Sequence, residues 1–66
     1  MEPLLHVPAA ADFLHTPEAT LRFWRSRGVG PVSFKVGRRV VYRQSDLADW
    51  LDEQRAAAER ARAAAV

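Results

Sequence analysis

The sequence predicts a small α+β domain with two short helices, a two-stranded β-hairpin and a third helix. Three observations support this fold: apolar residues at helical spacing before residue 28, alternating residues between 32 and 43, and helical spacing again after Ser45. With 66 residues and no cysteine, we expect one domain without disulfides or cysteine-bound zinc. So short a chain leaves few side chains for a substrate pocket, so we expect no enzyme activity, no cofactor and no small-molecule substrate.

The first helix is predicted over residues 7–14. Pro8 falls in its first turn, where the missing N–H of proline breaks no helical hydrogen bond. Ala10, Phe13 and Leu14 are spaced at i, i+3 and i+4, so they share one apolar face. This pattern is typical of a short amphipathic helix.

The second helix is predicted from Pro17 to Arg27, after a turn of two or three residues. Thr16 is the expected N-cap, and proline suits the first helical position. Leu21 and Trp24 form the buried stripe of this helix. Gly28 is the expected C′ glycine that ends it.

The next segment changes from helical spacing to a period of two. Residues 32–36 and 39–43 alternate in this way, which is typical of β-strands. Gly37-Arg38 is a two-residue connection with glycine first, which predicts a type II′ hairpin. Val40 and Tyr42 are expected to face the core.

The third helix is expected to begin with Ser45 as its cap and to bury Leu47, Trp50 and Leu51. Its last part is rich in alanine, which favours helix but leaves nothing large to bury. We therefore predict that a folded domain is followed by an Ala/Arg-rich helical extension. The predicted boundaries are residues 1–54 and 55–66.

Charge is strongly segregated along the chain. Residues 1–19 carry a net −3, residues 20–45 a net +7 and residues 46–66 a net −2, which together give the formal charge of +2. A basic block without acidic residues attracts polyanions, nucleic acid foremost. The alternative is the solvated face of a small soluble domain.

A helix-turn-helix followed by a hairpin is the layout of a winged-helix DNA-binding domain, whose second helix enters the major groove. Four residues of that helix are candidate DNA contacts: Glu18, Ala19, Arg22 and Arg25. Arginine can bind guanine, Glu18 can accept a hydrogen bond from cytosine, and Ala19 can admit a thymine methyl group.

The hairpin adds a second set of candidate DNA contacts. Arg39 and Arg43 are expected to face outward beside Lys35 on the partner strand, and Arg38 and Arg39 are expected at the tip. A narrow, basic tip suits phosphate contacts or insertion into the minor groove.

Most aromatic residues lie on faces that we predict to be buried. Phe13, Trp24, Tyr42 and Trp50 are therefore expected in the core rather than as platforms for stacked bases. Phe23 lies off the buried stripe of the second helix, and it either packs beneath the wing or contacts DNA.

Metal binding, secretion and membrane insertion are not expected. His6 and His15 have no third nitrogen or sulfur ligand nearby, so they are interpreted as surface or capping residues. The first residues lack the basic region of a secretory signal, and no apolar segment reaches the roughly 18 residues of a membrane span. Together with the absence of cysteine, this predicts a cytoplasmic protein, and the expected DNA binding would associate it with the nucleoid.

Five segments together resemble the excisionase-type, MerR-like winged helix-turn-helix family. These segments are Leu14–Pro17, Thr20–Arg25, Gly28–Pro31, Lys35–Arg43 and Ser45–Leu51. The resemblance covers about residues 4–54. The chain departs from the family pattern at His15, where a turn glycine is usual, at His6, where a hydroxyl cap is common, and at Ala19, where a polar residue is frequent.

The resemblance implies a small protein that binds and bends attachment-site DNA and promotes integrase-mediated excision of a phage or integrative element. The implied partners are double-stranded DNA, an integrase and further copies of the protein on DNA. Its implied DNA contacts are Glu18, Ala19, Arg22, Arg25, Lys35, Arg38, Arg39 and Arg43. The alternatives are an AlpA-like transcriptional regulator, or a protein-interaction module that acts through residues 52–66.

Overall fold

Residues 2–65, which the computed structural model describes, form three helices and a three-stranded antiparallel sheet. The elements follow the chain as β1 (Leu4–His6), α1 (Val7–Phe13), α2 (Glu18–Ser26), β2 (Phe34–Val36), β3 (Arg39–Arg43) and α3 (Gln44–Ala64). This order confirms the predicted α+β winged helix-turn-helix fold. The division into a domain and an extension stays a prediction, and α3 runs through the predicted boundary without a break.

The sheet has one strand more than the predicted hairpin. β3 lies in the centre, with β2 on one side and β1 on the other, and both neighbours are antiparallel to it. β2 and β3 are joined by the predicted two-residue turn, in which Gly37 has a φ of +63°. β1 was missed because three residues are too few to show a period of two, and α1 begins directly after them.

The two faces of the sheet are both partly covered. Tyr42 is buried and Val40 packs beside it against the helices, as predicted. Val41 points to the opposite face, yet it is also buried. Its cross-strand partners there are His6 and Phe34, so the outer face of the sheet has a small apolar cluster of its own.

The core joins all three helices to β3. Its fully buried members include Ala10, Leu21, Tyr42 and Leu47. The partly buried hydrophobic residues Leu5, Phe13, Trp24, Val40 and Trp50 pack around it, which confirms the core positions of the four aromatic residues predicted there. The two tryptophan rings lie 5.2 Å apart between centroids and are tilted by 45°. The predicted burial of Leu51 is wrong, because this side chain is exposed on the solvent side of α3.

The turn between α1 and α2 is four residues long and is closed by backbone hydrogen bonds. The N–H of His15 donates to the carbonyl of Asp12 (3.1 Å), and that of Thr16 donates to Ala11 (2.9 Å). This is the Schellman pattern, and His15 occupies the C′ position with a φ of +51°, where glycine is usual. The predicted N-cap of α2 is wrong: Pro17 takes that position, and the Thr16 hydroxyl donates to a carbonyl of the turn instead.

The end of α2 follows the sequence prediction. Gly28 takes the C′ position with a φ of +71°, and its N–H donates to the carbonyl of Arg25 (3.1 Å). The N–H of Val29 donates to Trp24 (2.9 Å), which completes a second Schellman motif. Gly30 then lies against the Trp24 ring, where a Cβ would come within 3.0 Å of the Trp24 Cβ. The loop after α2 is thereby held on the core.

The start of α3 is capped from a distance. Arg43 is the N-cap residue, so the predicted capping role of Ser45 is wrong. The carboxylate of Glu2 accepts hydrogen bonds from the Ser45 hydroxyl (2.8 Å) and the Ser45 N–H (3.2 Å). Its Oε1 also lies 2.7 Å from the Arg43 Nε. These contacts lower the pKa of Glu2, the hydrogen bond from the Ser45 hydroxyl most of all.

Candidate nucleic-acid interface

The outward face of α2 presents the four residues predicted from the sequence. Glu18, Ala19, Arg22 and Arg25 are all exposed. The Arg22 Nη2 lies 3.6 Å from the Glu18 Oε1, in an i,i+4 pair whose side chains are 63% and 49% exposed. Pairs of this kind are worth only about 0.3–0.5 kcal/mol. Arg22 is therefore easily released to another acceptor.

A cleft of about 330 Å³ separates α2 from the hairpin. Its polar lining consists of Arg22, Arg25, Ser26, Lys35, Arg38 and the buried Tyr42, while Val7 and Val40 form its apolar floor. Four of the lining side chains are cationic and none is acidic. Cations that converge on a concave surface focus a positive potential, which attracts anions.

A second cleft of about 300 Å³ adjoins the first on the side of α1. Arg22 and Arg38 border both clefts. The second cleft adds Arg39 and is also lined by His6 and Pro8, at the junction of β1 and α1. The two clefts together bring five of the predicted cations to one surface: Arg22, Arg25, Lys35, Arg38 and Arg39.

The expected position of Lys35 beside Arg39 and Arg43 is wrong. Lys35 is the cross-strand partner of Val40, and cross-strand partners in an antiparallel pair share a face. Lys35 therefore points to the side of the sheet that faces α2, where it borders the first cleft. The register gives Arg39 and Arg43 the opposite side of the strand, but Arg39, the first residue of β3, still borders the second cleft, whereas Arg43 borders neither cleft.

Arg43 lies apart from this surface. It borders neither cleft, and its guanidinium is bound to the Glu2 carboxylate, which also caps α3. Within residues 2–65 no ion pair is formed by Arg25, Lys35, Arg38 or Arg39. DNA contact by each of these residues stays a prediction, but the structure separates a group of free cations from one that is already paired.

Three residues near this surface were missed or misplaced by sequence reasoning. Ser26 borders the first cleft, and its position four residues after Arg22 is the signal that places it there. The Phe23 side chain is 57% exposed and belongs to neither the core nor the clefts, so its packing beneath the wing is wrong. The Arg27 guanidinium lies over the Phe23 ring, 5.5 Å from its centroid.

A second helix held by a tight turn, beside a hairpin with a basic tip, defines a winged helix-turn-helix domain with a cationic surface. Residues 4–55 match the helix-turn-helix domain family, a family of DNA-binding domains, and the chain belongs to it. No curated protein and no solved structure matches the chain. Within residues 2–65, no helix is long and apolar enough to cross a membrane, and no three His, Asp or Glu side chains cluster as metal ligands.

Proposed function

We propose that the protein is a sequence-specific DNA-binding excisionase, also called a recombination directionality factor. The observation that carries this proposal is the convergence of five cations from α2 and the hairpin on two adjoining clefts without an acidic residue. In this role α2 enters the major groove and the hairpin contacts the neighbouring backbone or minor groove. Both elements can contact one duplex because residues of α2 and of the hairpin border the same two clefts.

The dimensions and chemistry of α2 suit this role. An α-helix with its side chains is about 10–12 Å in diameter, which fits a major groove about 12 Å wide, and the nine residues of α2 extend for about 13 Å. Arg22 can donate to guanine O6 and N7, Arg25 can donate to a phosphate at the side of the groove, and Ala19 leaves room for a thymine methyl group. Glu18, once released from Arg22, can accept a hydrogen bond from the cytosine amino group.

The hairpin supplies contacts that do not depend on the base sequence. Lys35, Arg38 and Arg39 are exposed and border the clefts, so they suit phosphate oxygens on either side of the groove. Such contacts fix the orientation of α2 on the duplex, whereas α2 distinguishes one sequence from another. Arg43 is the weakest of the candidate contacts, because Glu2 already occupies its guanidinium.

The excisionase role is supported by the resemblance of residues 4–54 to excisionase-type proteins and by the small size of the domain. A protein of this kind binds beside an attachment site, bends the DNA and helps an integrase to carry out excision. This work needs no catalytic residue and no cofactor. Its partners are duplex DNA, an integrase and further copies of itself, and its place is with the nucleoid in the cytoplasm.

Two measurements test this proposal. Fluorescence anisotropy compares affinity for the attachment-site DNA of the element that encodes the protein with affinity for random DNA of equal length and salt. Equal affinities contradict sequence-specific binding. An excision assay with the integrase of the same element then separates the excisionase from an AlpA-like transcriptional regulator: specific binding without stimulated excision favours the regulator.

A second candidate function is suggested by the distal part of α3. This helix has 21 residues, and those after Ala56 are all exposed in the described chain. A helix that continues beyond its core contacts offers a surface to a partner, here a neighbouring copy on DNA or the integrase. In this alternative, residues 52–66 make the protein an interaction module.

A further inference from the structure

Phe23 is a large apolar side chain on the outward face of α2, outside the two clefts and outside the core. It is 57% exposed, and it is absent from the core and from the residues packed against it. Its described aromatic contact is with Arg27, whose guanidinium lies 5.5 Å from the ring centroid. Single exposed hydrophobic residues are common, so the argument must come from its surroundings.

The position of Phe23 on α2 supplies those surroundings. At about 100° per residue, Phe23 lies about 160° around the helix from the buried Leu21. Ala19 is four residues earlier and therefore its neighbour on the helix surface. The two form a narrow apolar strip on the outward face, with Arg22 on one side and Arg27 on the other.

The positive charge around this strip indicates which kind of molecule can bind there. Arg22 and Arg27 attract a polyanion, and the strip lies on the helix that we propose for the major groove. A phenyl ring cannot read the hydrogen-bonding groups of guanine, adenine or cytosine. The thymine C5-methyl group is the apolar feature of the major groove, and a phenylalanine side chain can pack against it.

We propose that Phe23, together with Ala19, recognises the C5-methyl group of a thymine in the bound DNA. This inference rests on the proposed DNA-binding function and adds a specific base contact to it. Arg27 holds the ring by covering one face, which leaves its edge and its other face open to the groove. Arg22 is adjacent to Phe23 in α2 and is also exposed, so we expect it to read a base beside that thymine.

The test removes the methyl group from the DNA and the ring from the protein. A duplex is first selected from a random library by the wild-type protein, and each thymine in it is then replaced by deoxyuridine, which keeps the base pair. Burial of one methyl group predicts about a fourfold loss of wild-type affinity at one or two positions. Phe23→Ala should bind the two duplexes equally well.

Val36→Ala is the matched control, because Val36 is 55% exposed and lies on the hairpin rather than on α2. It should keep the full preference for thymine. A Phe23→Ala protein that still discriminates thymine from deoxyuridine overturns the inference, and so does a wild-type protein that is indifferent to every replacement. Light scattering without DNA measures the oligomeric state of both proteins. If the wild-type protein is an oligomer that Phe23→Ala dissociates, the ring mediates contact between copies and the inference is wrong.

If the proposed DNA-binding function itself is wrong, the same experiment gives a different result. In that case the wild-type protein enriches no sequence from the library and binds all duplexes with equal affinity, before any thymine is replaced. Circular dichroism of the Phe23→Ala protein shows whether its fold is retained, as we expect for an exposed helical position without core contacts. A loss of thymine preference in a folded variant is then assigned to the ring itself.

Discussion

The salt dependence of DNA binding should identify which cations contact phosphate. Each contacted phosphate contributes about −0.9 to the slope of log K against log salt concentration on duplex DNA. Around the two clefts, Arg22 is assigned to a base, which leaves Arg25, Lys35, Arg38 and Arg39 for the backbone. Four such contacts predict a slope of about −3.6.

This slope translates into a large change in affinity. Raising the salt concentration fourfold, from 50 to 200 mM, should weaken wild-type binding about 150-fold. Lys35→Ala or Arg38→Ala removes one contact and should reduce the slope to about −2.7, so that the same change in salt weakens binding only about 40-fold. Fluorescence anisotropy with one labelled duplex measures all of these values.

Arg43→Ala is the control that distinguishes the loss of a phosphate contact from the loss of a positive charge. It removes the same charge from the same hairpin, but its guanidinium is bound to Glu2 and lies outside both clefts. Its slope should therefore stay close to that of the wild-type protein. A slope that falls as much for Arg43→Ala as for Lys35→Ala refutes the assignment of contacts from the clefts, and an unchanged slope for Lys35→Ala does the same.

Three further predictions concern the fold and the distal part of α3. His15→Gly should raise the free energy of unfolding by about 1 kcal/mol in urea denaturation, because glycine adopts the positive φ without strain; no gain would contradict this. Glu2→Gln should lower the Tm at pH 7, where the lowered pKa keeps Glu2 ionised and bound to Ser45. The difference should vanish as the pH falls below the ordinary value of 4.5 and through the lowered pKa, so a difference that persists at low pH contradicts it. Deletion of residues 56–66 should reduce cooperative binding to adjacent sites and leave single-site affinity unchanged; unchanged cooperativity excludes a partner role.

The parts of the fold that could be predicted from the sequence depend on local signals. Gly28 ends α2 and Gly37 opens the hairpin because each must adopt a positive φ at that position. The caps of the helices were harder to predict. Ser45 has the right chemistry for an N-cap, but Glu2 supplies the capping carboxylate from the other end of the chain. Contacts between residues so distant leave no periodic pattern in the sequence.

In the candidate site too, the features set by residues close in sequence could be predicted, whereas those set by distant residues could not. Exposure of Arg22 follows from the position of Leu21 on the same helix, because adjacent residues are about 100° apart. The face of Lys35 also follows from local rules, since a two-residue turn between positions 36 and 39 makes residue 35 the partner of residue 40. The pairing of Arg43 could not be predicted, because it depends on β1, which carries Glu2 to it.

The candidate binding surface depends on which basic side chains already have a partner in the protein and which do not. Of the seven basic residues between positions 20 and 45, Arg43 is held by Glu2, Arg22 is weakly paired with Glu18, and Arg27 lies over Phe23. The remaining four have no ion pair in residues 2–65, and all of them border the clefts.

Like charges gathered around a cleft repel one another and destabilise the folded chain. Bound phosphates relieve this repulsion, so part of the affinity for DNA comes from strain that the free protein already carries. Nearby acidic residues do not neutralise these cations, because Glu2 caps α3 and Glu18 is paired with Arg22. Arg25, Lys35, Arg38 and Arg39 have no ion pair within residues 2–65, so a bound phosphate is the group that we expect to neutralise them.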